Sequence, residues 1–228
     1  MTSITIACLD MAGTTVRDNG AVLAAFGSAI EQGGLADGTP AYDEAIKAVR
    51  ASMGQSKIEV FRRVLGDEAA ARKANDAFEE HYAAAVMAGQ VAPMPGAEQT
   101  MTRLREAGIQ VCLNTGFSPG TRDVIIEKLG WSEMIDLALS PVDAGRGRPW
   151  PDLPLTALMR LGGTAVDELA VVGDTVSDVE TGLRAGAGLV AGVLTGAATR
   201  AEFERAGTPL ILDTVADLLS HLGLGQAS

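Results

Sequence analysis

The feature that most constrains the fold is a repeated pattern, in which a short apolar run ends in a polar loop and a stretch of helical period follows. The first run, residues 4–9, stops at Asp10 and leads into Gly13, Thr14 and Thr15, which is typical of a buried strand that ends in a loop. This alternation predicts an α/β fold with a doubly wound parallel sheet. The later runs of the same kind cover residues 110–113, 135–139, 169–172, 189–194 and 209–212.

A long stretch without such runs separates the first predicted strand from the second. Residues 17–91 are rich in Ala, Glu and Arg and have helical patterning. Pro93 and Pro95 interrupt that pattern before the next strand begins. We therefore predict a core domain made of residues 1–16 and 92–228, with a helical cap inserted after the first strand and a hinge at each junction. A chain of 228 residues with 47% hydrophobic content is large enough for this arrangement.

The formal net charge of −11 argues against nonspecific binding to nucleic acid or to an anionic membrane, because both require clustered Lys and Arg side chains. It leaves room for a small anionic substrate, since a local site can reverse the sign of the field. Cys8 and Cys112 lie in apolar runs and are predicted to be buried small hydrophobes. No run approaches the roughly 20 apolar residues of a membrane helix, and no secretion signal is visible. These features predict a cytoplasmic protein.

Three polar segments, each directly after an apolar run, carry the residues suited to chemistry. They begin at Asp10, Asn114 and Gly173. Because the carboxyl ends of parallel strands share one edge of the sheet, the carboxylates of Asp10 and Asp174 are expected to meet the hydroxyl of Thr115 there. Each residue alone could be a helix cap. Together they predict a site for one anion and one cation, as phosphoryl transfer requires.

These motifs resemble those of the haloacid dehalogenase superfamily, and the resemblance covers nearly the whole chain. It implies that Asp10 is the nucleophile and that Thr115 binds the phosphoryl oxygens. It also implies that Asp174 and Asp178 organise Mg²⁺. A cation is needed in such a site because the attacking carboxylate and the phosphoryl group are both negative.

The same resemblance assigns the groups around the nucleophile. Arg148 stands where the family has a basic residue, usually Lys in a Gly-Lys-Pro segment, and Arg146 is a second candidate for that role. The implied Mg²⁺ ligands are Asp10, the backbone carbonyl of Ala12 and Asp174, with Asp178 and Ser177 behind them. The residues implied to bind the phosphoryl group or the rest of the substrate are Ala12, Gly13, Thr14, Thr115, Gly116 and, in the cap, Met53.

One position departs from most phosphatases of this superfamily. They carry a second Asp two residues after the nucleophile, which protonates the leaving alkoxide, whereas this chain has Ala12. The segment Asp-Met-Ala-Gly-Thr-Thr is similar to the phosphonatase branch, which hydrolyses phosphonoacetaldehyde with a cap lysine that forms a Schiff base. Lys57, in Met-Gly-Gln-Ser-Lys-Ile, matches that lysine. The implied reaction cleaves the C–P bond of phosphonoacetaldehyde or a close phosphonate through an aspartyl-phosphate and a lysine Schiff base.

Three positions differ from the phosphonatase pattern. Val60 stands where that branch has a histidine, Phe117 where it has an aromatic hydroxyl, and residues 19–21 where it has a cysteine. They favour a second hypothesis, a Mg²⁺-dependent phosphomonoester phosphatase similar to phosphoglycolate phosphatases, in which the leaving-group proton comes from water, the substrate or another cap residue. Independently of the substrate, Lys57 could also be a solvated helix lysine.

Two further hypotheses have less support from the sequence. Asp174, in its Gly-Asp metal-site motif, argues against a metal-free dehalogenase. The presence of the full set of site residues argues against a binding module without catalysis. Helical caps of this type pair across two-fold axes, so the resemblance is also compatible with a homodimer through the cap.

Overall fold

The computed structural model describes residues 3–225. The strands are β1 (Ile6–Asp10), β2 (Val16–Arg17), β3 (Ala92–Pro93), β4 (Gln110–Asn114), β5 (Leu137–Leu139), β6 (Leu169–Gly173), β7 (Leu189–Val193) and β8 (Leu210–Leu212). The helices are α1 (Ala21–Gln32), α2 (Pro40–Ala51), α3 (Lys57–Leu65), α4 (Glu68–Met87), α5 (Ala97–Glu106), α6 (Pro119–Leu129), α7 (Pro141–Ala144), α8 (Asp152–Arg160), α9 (Val176–Ala185), α10 (Arg200–Arg205) and α11 (Asp217–His221).

Six of these strands form one parallel sheet in the order β5-β4-β1-β6-β7-β8. The predicted α/β fold with a parallel sheet is confirmed, and every predicted apolar run contributes a strand. Some strands are shorter than their apolar runs: β1 begins at Ile6, and β5 begins at Leu137. The order places β1 at the centre of the sheet, between β4 and β6.

Both faces of the sheet are covered, which explains why its strands are apolar at consecutive positions. Ala7 and Leu9 belong to the large core on one face, and Ile6 and Cys8 belong to a second core on the other. Successive side chains of a strand point to opposite faces, so both kinds of position must be apolar. Cys8 lies beside Cys112 in the register of β1 and β4, and both thiols are free and buried, as predicted.

Helices α1 to α4 occupy the stretch between β2 and β3. An aromatic cluster packs within them and reaches the sheet; its members are Phe26, Phe61, Phe78, Tyr82 and Phe117. The Phe26 and Phe78 ring centroids are 4.7 Å apart, and those of Tyr82 and Phe117 are also 4.7 Å apart. Because Phe117 follows β4, this cluster joins the helical segment to the carboxyl edge of the sheet.

A short antiparallel ribbon connects the two ends of the helical segment. Val16 pairs with Pro93, and Arg17 pairs with Ala92. The ribbon therefore lies at both predicted junctions, although the division into two domains stays a prediction. In residues 3–225, none of the helices is both long enough and apolar enough to pass through a membrane.

Candidate active site

Three buried carboxylates meet at the carboxyl edge of the sheet. Asp10 ends β1, Asp174 follows β6, and Asp178 lies in the first turn of α9. One carboxylate oxygen from each of them lies within 4.8 Å of the others. Thr175 places Asp178 there, because its backbone N–H donates to Asp178 Oδ2 at 3.1 Å in a capping box. The predicted convergence of the strand ends therefore forms.

Arg148 lies against two of these carboxylates and is itself 5% exposed. Its Nη2 is 2.7 Å from Asp10 Oδ1, and its Nε is 2.7 Å from Asp178 Oδ1. Nη2 also donates to the backbone carbonyl of Asn114 at 2.9 Å and to the side-chain carbonyl of the same residue. Arg146, the second candidate, instead pairs with Asp152 at 2.9 Å on the surface. Arg148 is thus the cation placed beside the expected nucleophile.

Asp174 is enclosed by backbone. The backbone N–H of Ala197 donates to its Oδ2 at 2.7 Å, and the Thr14 hydroxyl donates to Oδ1 at 3.5 Å. A Cβ at Gly13 would lie 2.4 Å from Oδ2, and one at Gly196 would lie 1.9 Å from it. Only glycine fits at these two positions, so the backbone closes around the carboxylate and holds it in place.

The electrostatics of this carboxylate cluster favour a bound cation. Burial raises the pKa of Asp174 well above its usual value, and the charges of Asp10 and Asp178 raise it further. Burial likewise raises the pKa of Asp178 to about 6, although Arg148 opposes the shift. Despite its contact with Arg148, Asp178 Oδ1 has no aligned hydrogen bond within residues 3–225. The Arg148 guanidinium contacts only two of the three carboxylates, and Asp178 Oδ1 lacks a hydrogen bond. These groups could hold a divalent metal.

The residues expected to bind the phosphoryl group surround this cluster. Thr115 is buried, its N–H donates to Leu139 O at 3.1 Å, and its hydroxyl accepts from the N–H of Phe117 at 3.2 Å. Ala12 and Gly13 lie in the tight loop after β1, in which Gly13 N–H donates to Val16 O at 2.8 Å. Hydrogen bonds with backbone groups therefore hold the loop after β1 and the loop after β4 in place beside Asp10.

Lys57 is buried next to the aromatic cluster. It begins α3, is 6% exposed, and its Nζ forms neither a hydrogen bond nor an ion pair with any described residue. Nζ lies 4.7 Å from the Phe117 ring centroid and 5.7 Å from that of Phe26. Burial lowers the pKa of Lys57 to about 8, and although Asp10 raises it, Arg148 lowers it further. Lys57 is therefore buried, and the alternative of a solvated helix lysine is wrong.

The loop before Lys57 packs directly on the sheet edge. Arg148 Nη1 donates to Gly54 O at 3.1 Å, and Gln55 Nε2 donates to Ser177 Oγ at 3.4 Å. A Cβ at Gly116 would lie 2.4 Å from Gln55 O, so this position also requires glycine. The helical segment is thus closed over the carboxylate cluster.

Met53 lines a cavity of about 640 Å³ beside the cluster. Ala12, Gly13 and Asp174 line the same cavity. The structure therefore brings these residues together beside the carboxylate cluster, whereas Arg146 lies apart from it on the surface.

Two contributors were not singled out from the sequence. Asn114 begins one of the three polar segments and is the last residue of β4, and this position was the available signal for its contact with Arg148. Glu79, on α4, accepts hydrogen bonds from Ser118 and Thr121 at the start of α6. No local pattern could reveal the contacts of Glu79, since they join residues far apart in the chain.

Comparison with known proteins places this site in a family. A family model for haloacid dehalogenase-like hydrolases matches residues 4–186. The chain belongs to this hydrolase family. It is 32% identical over 130 residues to a phosphonoacetaldehyde hydrolase from Bacillus cereus, a match that covers 56% of this chain and 48% of that relative. The matched region thus spans about half the length of that curated relative.

Two solved structures are similar to this one over almost the whole chain. A phosphonoacetaldehyde hydrolase-like protein from Oleispira antarctica has a TM-score of 0.79 at 25% identity, covering 97% of this chain and 92% of its own. A putative phosphoglycolate phosphatase from Lactobacillus delbrueckii has a TM-score of 0.80 at 20% identity, covering 99% and 100%. The second likeness shows a shared fold, and both are consistent with the family assignment.

Proposed function

We propose that this hydrolase cleaves the C–P bond of phosphonoacetaldehyde or of a close aldehyde-bearing phosphonate. The observation that carries the proposal is Lys57, a buried amine without an ionic partner whose pKa is lowered to about 8. A lysine with this pKa is neutral at pH 7 about 300 times more often than one at 10.5. Only the neutral amine adds to an aldehyde. The similarity to phosphonoacetaldehyde hydrolases supports the same reaction.

The residues of the site have distinct roles in this proposal. Asp10 is the nucleophile, and Arg148 offsets negative charge on Asp10 and on the phosphoryl group. Mg²⁺, held by Asp10, Asp174 and the carbonyl of Ala12, would supply the further positive charge that lets two anionic groups approach. The remaining assigned residues bind the phosphoryl group and the rest of the substrate, or support the metal ligands: Gly13, Thr14, Met53, Thr115, Gly116, Ser177 and Asp178.

The chemistry balances without a second acid beside Asp10. The Lys57 amine condenses with the aldehyde, releases water and forms a protonated iminium. A carboxylate oxygen of Asp10 then attacks phosphorus, the C–P bond breaks, and its electron pair flows into the iminium to give an enamine. The enamine carbon takes up a proton, and water releases acetaldehyde from Lys57. A second water hydrolyses the aspartyl-phosphate. One phosphonoacetaldehyde and one net water thereby give acetaldehyde and phosphate.

Residues 17–91 act as the cap in this proposal, with the ribbon of β2 and β3 as its hinge. The contacts of Gly54 and Gln55 with the sheet edge support this role, because they close the helical segment over Asp10. Closure excludes water from the imine until the C–P bond has broken.

Reductive trapping tests the proposed Schiff base. With phosphonoacetaldehyde and borohydride, wild-type protein should gain a covalent adduct that peptide mass spectrometry assigns to Lys57. Lys57→Arg should form no adduct and should lose at least about a thousandfold in phosphate release, because an ever-charged guanidinium cannot form the imine. Lys73→Arg, at an exposed lysine of α4, is the matched control and should behave like wild type. An adduct-free wild type that still releases phosphate would refute the mechanism.

A second function is favoured by the residues around Lys57. Val60 and Phe117 are each 1% exposed, and neither has a group that moves protons around an imine. This observation supports a phosphomonoester phosphatase in which Asp10 does the same work and the leaving group needs no imine. Phosphate release from phosphoglycolate that exceeds release from phosphonoacetaldehyde, and that survives Lys57→Met, would establish this alternative.

A further inference from the structure

Glu79 forms hydrogen bonds across the boundary between the helical segment, residues 17–91, and the rest of the chain. The hydroxyls of Ser118 and Thr121 both donate to its Oε2. Within residues 3–225, Glu79 is the only carboxylate of the helical segment that accepts a hydrogen bond from outside that segment. The bonds join positions 39 and 42 residues apart, so they exist only while α4 and α6 are packed together.

The start of α6 is well suited to hold this carboxylate. Ser118 is the N-cap residue, and its Oγ accepts from the N–H of Thr121 at 3.3 Å while its own hydrogen points to Glu79. The N-terminus of a helix is electropositive and favours a nearby carboxylate. Thr121 is 3% exposed, so its hydroxyl would be left without a partner if Glu79 moved away. Bonds to an ionised acceptor are also stronger than bonds between neutral groups.

The same part of α4 holds the ring that covers Lys57. Tyr82 lies about one turn beyond Glu79, and its ring stacks on that of Phe117, with centroids 4.7 Å apart. Helix α4 therefore contacts two consecutive residues after β4, Phe117 through a ring and Ser118 through a carboxylate. Lys57 Nζ lies 4.7 Å from the Phe117 centroid. The contact between α4 and α6 thus fixes the position of the ring beside the amine.

The substrate can reach the site only if these contacts break. Asp10 is 3% exposed and Lys57 is 6% exposed. In the proposed function, phosphorus must reach the first and the aldehyde must reach the second, so the helical segment must move aside and return in each turnover. The bond from Gln55 to Ser177, at 3.4 Å, joins two neutral groups across the same boundary. The bonds to Glu79 are charge-assisted and should contribute more to the closed state.

We propose that Glu79 is a positioning residue that acts as a latch: its two hydrogen bonds hold the helical segment closed and keep the Phe117 ring over Lys57. The proposal deepens the proposed function, on which it rests for the role of Lys57, by naming the residue that governs access to the amine. Loss of the two bonds should expose Lys57 to solvent more often and should leave the sheet intact.

Chemical labelling of Lys57 at pH 9 measures this opening. Sulfosuccinimidyl acetate acylates lysines, and peptide mass spectrometry gives the rate at each one. Lys57 is buried and reacts only in molecules that open, so its rate follows the open fraction. Cys8 and Cys112 are fully buried in the sheet, and their alkylation by iodoacetamide reports unfolding of the whole chain. Lys73 is exposed and reports the reactivity of the reagent itself.

A series of variants gives a graded expectation. Glu79→Ala should accelerate the labelling of Lys57 by at least about tenfold and leave both cysteines unchanged. Thr121→Val keeps the shape of the side chain and the Ser118 bond, so the acceleration should be severalfold. Glu79→Gln should lie between wild type and Glu79→Ala, because the amide oxygen accepts the same two bonds without a charge. Glu80→Ala, which removes the neighbouring exposed carboxylate, should label at the wild-type rate.

The pH of the assay separates opening from a change in charge. Burial lowers the pKa of Lys57 to about 8, and the charge of Glu79 is among those that oppose this shift. At pH 9 about nine-tenths of the amine is therefore already neutral. Removing the charge of Glu79 can raise the neutral fraction only by about a tenth, so a tenfold faster reaction must come from opening.

Several outcomes would overturn the latch. One is a Lys57 labelling rate that stays at the wild-type value in Glu79→Ala or in folded Thr121→Val. Another is an equal acceleration at Cys8 and Cys112, because the two bonds would then stabilise the whole fold. The assay needs no substrate, so it is independent of the imine. If borohydride trapping fails while the selective exposure of Lys57 persists, the latch stands and the Schiff-base mechanism falls. If trapping succeeds and labelling is unchanged, the latch falls and the mechanism stands.

Discussion

Replacing Lys57 with Met should stabilise the folded protein, and the gain should vanish at high pH. Lys57 is 6% exposed and has no ionic partner among the described residues, so the folded state carries the desolvation penalty of an ammonium group. Met has a similar length, no charge and a thioether that packs well against aromatic rings such as Phe117.

The size of the effect follows from the pKa of Lys57. A decrease from 10.5 to about 8 on folding corresponds to a penalty of about 3 kcal/mol in the free energy of unfolding. The unfolded chain binds more protons than the folded one between these two pH values, so wild-type stability rises with pH across that window. The penalty is complete below pH 8 and is relieved near pH 10.5. Lys57→Met has no such titration, so its advantage over wild type should shrink by about 3 kcal/mol across the window.

Urea denaturation of wild type and Lys57→Met at pH 7 to 10.5 measures this difference. All other titrating groups are common to both proteins, so their contributions cancel. Lys73→Met, at an exposed lysine, controls for the loss of a surface charge and should give a nearly constant difference. A constant difference for Lys57→Met would show that Lys57 keeps an ordinary pKa, and the proposed imine chemistry would lose its main support.

Two other predictions concern the carboxylate cluster. Arg148→Ala should lower the free energy of unfolding by about 3–5 kcal/mol, because it leaves buried carboxylates unpaired. Arg146→Ala should lower the free energy of unfolding by less than about 1 kcal/mol, since the ion pair of Arg146 with Asp152 is on the surface. Urea denaturation measures both changes, and equal losses in the two variants would contradict this ranking. Gly196→Ala should weaken Mg²⁺ binding by about 10–100-fold, because the added Cβ would displace the Asp174 carboxylate. Titration calorimetry measures the Mg²⁺ affinity. Gly120→Ala is the control, because a Cβ there would make only an ordinary contact with Ser118 Oγ at 3.9 Å. Similar Mg²⁺ affinities in the two variants would refute the argument.

The sequence was sufficient to predict the sheet and the residues at its catalytic edge. Runs such as residues 169–172 are apolar at consecutive positions because both faces of each strand are buried, and this pattern is readable within a few residues. Asp10, Thr115 and Asp174 were identified because each lies in a polar segment that directly follows such a run. Strand ends could be placed only to within a residue or two, since the ends depend on pairing with neighbouring strands.

Only the tertiary structure decided how the distant groups act on one another. The sequence left Lys57 as either a solvated helix lysine or a buried amine, and the fold placed it against Phe117, 60 residues further along the chain. Likewise, the contacts of Arg148 with Asp10 and Asp178 join segments that no local pattern connects. Burial and electrostatic shifts depend on the whole surroundings of a group in space, whereas strand and loop patterns depend on neighbours in the chain.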